Sequence, residues 1–303
     1  MAAARLSGRA EVSYLAPLYD KIHVQRSMPP LARQLVLLYP QKETAPWQQE
    51  EAALLASLGH SLRRGLMHTP KARAYLYRRG IPLETAISTG LGYLPFDRLA
   101  HLEAEQRHLL SRWADRIVFP LVSPYGVGMI GRSLWGWRPG MDESQHKALL
   151  EQPDSPRRWI KTNPAGWFCE LDQLAETIVL VEGGFDRLAL LSAGFVTGEV
   201  VALVGTAAPV EWIPGQVKHI LLALDGDAGG REATERLAEQ FRRAGLRVSV
   251  CLPPQDNGGK DWNERWRQQG MKGLQPLIES FRFFSARTRS TSPAVPRDYR
   301  ITG

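Results

Sequence analysis

Five acidic residues lie where short apolar runs end. Glu182 closes TIVLVEG and Asp186 follows one helical turn later. Asp225 and Asp227 close HILLALDGD, and Asp261 follows RVSVCLP after a glycine-rich loop. A single Asp at such a place is ordinarily a helix N-cap. Three acidic clusters, each at a strand's carboxyl end within one stretch of chain, call for more than capping. Clustered carboxylates repel one another, so they shift their pKa values or bind a cation. An all-oxygen set without His or Cys suits Mg2+ or Mn2+, and no zinc is expected. Gly183-Gly184 and Gly229-Gly230 permit tight strand-to-helix turns and the close approach of a phosphate.

The elements that must hold these acids alternate regularly. TIVLVEG, VVALVG, HILLALDGD and RVSVCLP read as strands. FDRLALLSAG and the amphipathic GGREATERLAEQFRRAG read as helices ending at Gly194 and Gly245. This alternation predicts βαβ units on a mainly parallel sheet, with ligands at the strands' carboxyl ends. Upstream, RIVFPLV, the turn Pro124-Tyr125-Gly126 and VGMIGRSLWGW form a hairpin signal, and WIKT reads as a further strand. Residues 138–157 are polar and contain Pro and Gly, which predicts a long loop. KARAYLYRRG and PLETAISTG read as short helices, and Glu50–Arg64 as a Leu/Ala-rich one. The expected class is α/β: an α+β N-terminal subdomain, then a parallel sheet flanked by helices. The segments are 1–60 as a helical leader, 61–172 as a basic subdomain, 173–282 as the acidic metal-binding domain, and 283–303 as a disordered tail.

Charge follows the same division. The chain of 303 residues carries a net +7, but residues 1–168 hold +8 and residues 169–282 hold −4. A basic half beside an acidic one suggests a polyanion path next to a cation site. Two cysteines, Cys169 and Cys251, exclude a disulfide framework or a CxxC zinc ribbon. No long apolar run or signal-like leader is present, so the chain reads as cytoplasmic with no membrane partner. Nine tryptophans could stack bases, although most are expected in the core.

These residues resemble a known family. VEGGFDRLAL and LALDGDAGGREA resemble the first two TOPRIM motifs, LVGTA the segment between them, and GKDWNE the third acidic segment. RIVFPLVSPYGVGMIGRS and ARAYLYRRGIPLETAISTGLGYLP resemble the basic subdomain that precedes TOPRIM in bacterial DnaG-type primases. The resemblance spans about residues 61–275. It implies synthesis of short RNA primers on single-stranded DNA from NTPs. It makes Glu182 a general acid/base or metal ligand, makes Asp225 and Asp227 catalytic, and has Asp186, Asp225, Asp227 and Asp261 hold or orient divalent metals. Arg112, Arg116 and Arg132 match basic positions facing nucleotide and template. Arg158, Trp159 and Lys161 occupy a segment with the same role, with Arg158 where the family usually has Lys.

The sequence also departs from the family. Asn263 stands where a third-segment carboxylate is usual, and the Gly126–Arg132 loop is slightly short. No Cys or His set matches the family's N-terminal zinc module, and no helicase-binding domain is recognisable. This implies a stripped core, of mobile-element origin or assisted by partners such as a helicase or a separate zinc-binding template-recognition protein. The Leu-rich Glu50–Leu66 stretch then either packs on the basic subdomain, the ordinary reading, or offers a docking face for a partner. Rival readings are another TOPRIM enzyme such as a nuclease, and a non-catalytic nucleic-acid-binding subunit of a replication or defence complex. Asn263 favours the latter; the intact Glu182, Asp225 and Asp227 oppose it.

Overall fold

A computed structural model describes residues 46–162 and 166–290. The N-terminal part begins with helices α1 (Pro46–Ser57), α2 (Gly59–His68), α3 (Pro70–Arg78) and α4 (Leu83–Ser88). Strand β1 (Gly92–Leu94), helices α5 (Phe96–Leu99) and α6 (Ala104–Leu110), and the hairpin β2 (Arg116–Ser123) and β3 (Gly126–Ser133) follow. Helix α7 (Glu143–Leu150) and strand β4 (Trp159–Lys161) complete this half. Its sheet runs β1-β2-β3-β4, antiparallel throughout.

The second half comprises β5 (Thr177–Val181), α8 (Gly184–Ser192), β6 (Val200–Ala202), β7 (His219–Leu222), α9 (Ala228–Arg243), β8 (Arg247–Val250), α10 (Trp262–Gln269) and α11 (Met271–Ser290). Its sheet, β6-β5-β7-β8, is parallel throughout. Strand β5 is buried at every position, as its continuous apolar run requires when helices cover both faces. Glu182 and the Asp225 segment therefore emerge side by side, at the ends of the neighbouring strands β5 and β7.

One short segment fastens the two sheets together. Trp167 exchanges backbone hydrogen bonds of 2.8 Å with Val122 at the end of β2, and Phe168 exchanges bonds of 2.9 and 3.1 Å with Ala202 of β6. The side chains of Phe119, Phe168 and Phe185 meet edge to face across this seam, with centroids 5.1 to 5.4 Å apart. Such pairs contribute about 0.5–1.5 kcal/mol each beyond their buried area.

Three expectations change. The boundary at residue 60 falls inside α2, because α1 and α2 pack into the first half. Leu55, Leu62 and Leu66 are 0%, 4% and 0% exposed, the first two within a cluster with Leu94, Leu110, Trp113, Val118 and Met129. Glu51, also fully buried, accepts hydrogen bonds from Arg112 and from Trp113 Nε1. The Glu50–Leu66 stretch is therefore internal packing, with its apolar side already covered; residues 1–45 lie outside the described part. Next, residues 138–157 include the helix α7. Asp142 starts it through a reciprocal capping box with Gln145, at 2.8 and 2.9 Å. Finally, the boundary at 283 falls inside α11, which runs to Ser290; residues 291–303 are outside the described part.

Candidate active site

Glu182 and Asp225 stand apart from the other acids because no hydrogen bond or ion pair holds either side chain among the described residues. Burial pushes Glu182 above the usual carboxylate range, and repulsion from Asp227 and Asp261 adds to it. Asp225 is driven up to about 9, first by burial and then by Asp186, Glu182 and Asp261. Asp186 is fully engaged. Its Oδ2 accepts from Gly183 N at 3.0 Å and its Oδ1 from Asn263 N at 2.8 Å. Burial and Asp261 still raise it to about 7. It ties the start of α8 to the start of α10.

Asp227 and Asp261 are N-caps. Asp227 Oδ1 accepts from Gly230 N at 3.0 Å, and Asp261 Oδ1 from Glu264 N at 2.6 Å. Asp227 Oδ2 also accepts from Lys260 Nζ at 2.9 Å, which holds that carboxyl below its ordinary range. The capping reading and the acidic-cluster reading both apply to these two residues. Lys260 was not singled out in the sequence, although it adjoins Asp261 in GGKD.

Among the described residues no three His, Cys, Asp or Glu side chains close on one point as a ligand set. The donors nonetheless fit a hard divalent cation by chemistry and charge. They are oxygen throughout, Glu182 and Asp225 have free carboxyl groups, and both are raised first by burial and then by neighbouring acids, a repulsion that a cation would relieve. The ammonium of Lys260 already answers part of that demand at Asp227 and is itself raised by the contact. The side-chain nitrogen of Asn263 donates to Arg79 O at 2.9 Å, which leaves its Oδ1 buried and without a partner. The amide that replaces a carboxylate thus serves as a brace between the two halves.

Gly230 is what lets the Asp225 loop sit this close to α9. A Cβ on Gly230 would collide with the Asp225 carbonyl oxygen, whereas one on Gly229 would meet only Asp227 Oδ1 at 3.6 Å. Gly230→Ala is expected to cost about 1–3 kcal/mol and to displace Asp225. Gly229→Ala should be neutral or slightly stabilising through helix propensity. Urea unfolding of the two variants checks this, and equal midpoints would count against the proposed contact.

Glu182 opens on a cleft of about 370 Å³ lined also by Gly183, Gly184, Val204, Trp159 and Lys161, among others. Trp159 and Lys161 come from β4, the edge of the antiparallel sheet, and Lys161 is exposed. Gly184 is required here because a Cβ would press on the Phe119 ring at 2.9 Å. Val204 lines the same cleft at φ 49°, a left-handed conformation rare for a β-branched residue. Of the expected nucleotide and template residues, the fold brings Trp159 and Lys161 to the cleft beside Glu182.

It treats the arginines differently. Arg116 is 2% exposed, and its guanidinium donates to Arg112 O at 2.7 Å and to Arg157 O at 2.8 Å. Burial, aided by Arg132, lowers it to about 10. Arg132 is 0% exposed and donates to Tyr75 Oη at 3.1 Å and to Glu143 Oε1 at 2.6 Å. Neither side chain is exposed in this fold, where the resemblance implied positions facing nucleotide and template. Their hydrogen bonds tie β2 and β3 to Arg112, Arg157, α3 and α7 from inside the first half. Arg112 pairs with Glu51. Arg158 pairs with Glu143 at 2.7 Å.

Glu143, on the unforeseen helix α7, is the hub of this network. Arg79 approaches it at 3.9 Å while stacking 4.3 Å over the Phe185 ring, and Tyr75 Oη donates to it at 3.2 Å. Burial alone would push Glu143 up, but Arg79, Arg132 and Arg158 outweigh it and hold the carboxyl at about 2. The signal that could have found it is the Asp142-x-x-Gln145 capping box.

A Toprim-like family matches residues 179–266, from β5 into α10. The chain is 30% identical over 240 residues to the DNA primase of Myxococcus xanthus, covering 69% of this chain and 37% of that protein. It is 33% identical over 199 residues to the DNA primase of Neisseria meningitidis, covering 57% and 32%. The chain therefore spans about a third of the length of these curated relatives. Among solved structures it is similar to the Aquifex aeolicus primase zinc-binding and RNA polymerase domains, with a TM-score of 0.54 at 20% identity over 89% of this chain and 73% of that one. It is equally similar to the DnaG catalytic core, with a TM-score of 0.54 at 20% identity over 80% and 84%. At such identity the structural likeness establishes the fold.

Proposed function

The chain is a relative of the DnaG-type primase catalytic core, with a Toprim-like domain behind an antiparallel subdomain, and on that premise we propose that it makes short RNA primers on single-stranded DNA. The observation that carries this reading is the cleft. A free, raised carboxyl group on one wall, Glu182, faces an aromatic ring and an exposed ammonium on the other, Trp159 and Lys161. That is a site for a reacting hydroxyl, a base and a triphosphate.

In nucleotidyl transfer a 3′-hydroxyl oxygen forms a bond to the α-phosphorus, the bond to pyrophosphate breaks, and the hydroxyl proton must leave. A bound Mg2+ or Mn2+ neutralises phosphate charge and makes the hydroxyl more acidic. Glu182, Asp225 and Asp227 would hold it, with Asp261 beside them. Glu182 is also placed to take the hydroxyl proton, since a carboxyl group with a raised pKa is the better base near neutral pH. Lys161 offsets the triphosphate charge, and Trp159 offers a face for a base. Gly183 and Gly184, at the start of α8, line the same space. Asp186 and Asn263 tie the starts of α8 and α10 together, and Asn263 ties α10 to the turn after α3.

The partners of this reading are single-stranded DNA and NTPs, with a helicase or a separate zinc-binding protein as accessory. No described helix is long and apolar enough to cross a membrane. The test is incubation with single-stranded DNA, labelled NTPs and Mg2+ or Mn2+, resolved on a gel. Short, template-dependent RNA products are expected. Cleavage of the DNA without synthesis would replace this reading with that of a nuclease.

A further inference from the structure

With Arg116 and Arg132 buried and Arg112 and Arg158 paired, the basic charge open to solvent lies elsewhere. From Ala52 to Leu83 the chain contains six Lys and Arg and no Asp or Glu. Lys71 is held by Asp115 at 2.7 Å and Arg79 lies against Glu143. The other four, Arg63 and Arg64 on α2 and Arg73 and Arg78 on α3, are exposed, and none has an ion pair among the described residues. Between α3 and α4 lies a groove of about 590 Å³, lined by Arg73, Ala74, Tyr77, Ile81, Leu83 and Glu84, among others. Tyr77 is 88% exposed, an unusual position for an aromatic ring. Arg73 and Tyr77 are four residues apart, so they share one helix face.

From this juxtaposition we infer that the α3–α4 groove is a single-stranded nucleic-acid platform, with a base stacked on Tyr77 and flanking phosphates on Arg73 and Arg78. Charge complementarity selects the occupant: among the described residues Arg73 at the lip and Arg78, next to Tyr77 in the chain, have no ion pair, against one carboxylate at the lip, Glu84. A flat aromatic ring between cations fits an unstacked base next to phosphates, and base pairing would deny the ring that face. The platform is fixed relative to the cleft. Arg79 O and Gly80 O, in the turn after α3, accept from Asn263 Nδ2 at 2.9 Å and Trp266 Nε1 at 2.7 Å on α10. Tyr75, two residues before Tyr77, packs its ring 5.9 Å from Phe185 at the start of α8. A strand held in the groove is thereby held at a set position beside the active site. This inference extends the primase reading by naming where the strand is gripped outside the cleft.

The test is fluorescence anisotropy of the full chain with labelled oligo(dT) across a salt series, alongside the primer gel. Tyr77→Ala should weaken binding about tenfold, the scale of one lost base stack, while Tyr77→Phe should not. Arg73→Ala with Arg78→Ala should reduce the slope of log affinity against log salt by about 0.7 per arginine. These side chains are exposed, so circular dichroism spectra should match the wild type. Unchanged affinity and slope in the Arg73→Ala, Tyr77→Ala, Arg78→Ala triple variant, or an equal Tyr77→Ala loss on a blunt duplex, would overturn the platform. Failure of the primase reading looks different: the wild-type chain makes no primers, yet the triple variant still loses oligo(dT).

Discussion

Asp225→Asn is expected to remove primer synthesis by roughly a thousandfold or more, about 4 kcal/mol of transition-state stabilisation, while leaving the fold intact and somewhat more stable in the absence of metal. The two effects share one cause. Asp225 is mostly buried, and burial first, then the negative charge of Asp186, Glu182 and Asp261, pushes it up to about 9. Replacing it with a neutral amide removes the cost of burying a carboxyl group among acidic neighbours, which the metal-free protein must bear, and removes a donor that a bound cation needs. Asp225 is a cleaner probe than Asp227. Asp227 also caps α9 and pairs with Lys260, so its loss would cost about 1 kcal/mol of helix stability for reasons unrelated to chemistry. The measurements are the primer gel and thermal unfolding in a chelator. Synthesis within tenfold of wild type, or a clear fall in metal-free melting temperature, would remove Asp225 from the proposed site.

Glu143→Ala should destabilise the protein by about 3–5 kcal/mol, the cost of removing one partner from a buried charge network. Arg132, fully buried, would lose its only carboxylate among the described residues, and Arg79 and Arg158 would lose theirs. Buried nitrogens of all three arginines already have no hydrogen-bond partner, so little local compensation is at hand. The pH dependence follows from the carboxyl group being held at about 2 against an ordinary 4.5. A depressed acid contributes stability that is fully present above the ordinary value and is lost as pH falls toward 2. Wild-type protein should therefore lose stability between about pH 4.5 and 2, and Glu143→Gln should lose much less over that window while starting from a lower value. Urea titrations at neutral and acid pH report both. Near-equal stability of wild type and Glu143→Ala at pH 7 would show that the hub is dispensable.

The signals legible in the chain are those set by nearest neighbours and periodicity. The apolar runs ending at Glu182 and at the Asp225 segment, the β2–β3 hairpin around Pro124-Tyr125, and the helices closing at Gly194 and Gly245 all appear where period and punctuation place them. Motif order pointed to the acidic site for the same reason, since each motif is a strand end plus the turn that follows it. Two local signals were missed. Asp142 and Gln145 mark the start of α7 inside a stretch read as loop, and Lys260 sits beside Asp261. What each charged group does was decided by partners distant in sequence. Arg112 is neutralised by Glu51, Arg132 and Arg79 by Glu143, and Asp186 is engaged by the Asn263 backbone. Sequence shows that an arginine is present but not whether it is buried against a carboxylate, and a buried, paired guanidinium has no charge to spend on DNA. The division of basic residues into braces inside the first half and an open face on α2 and α3 therefore exists only in the folded chain. It arises because a buried cation must find its counter-charge wherever the tertiary packing supplies one.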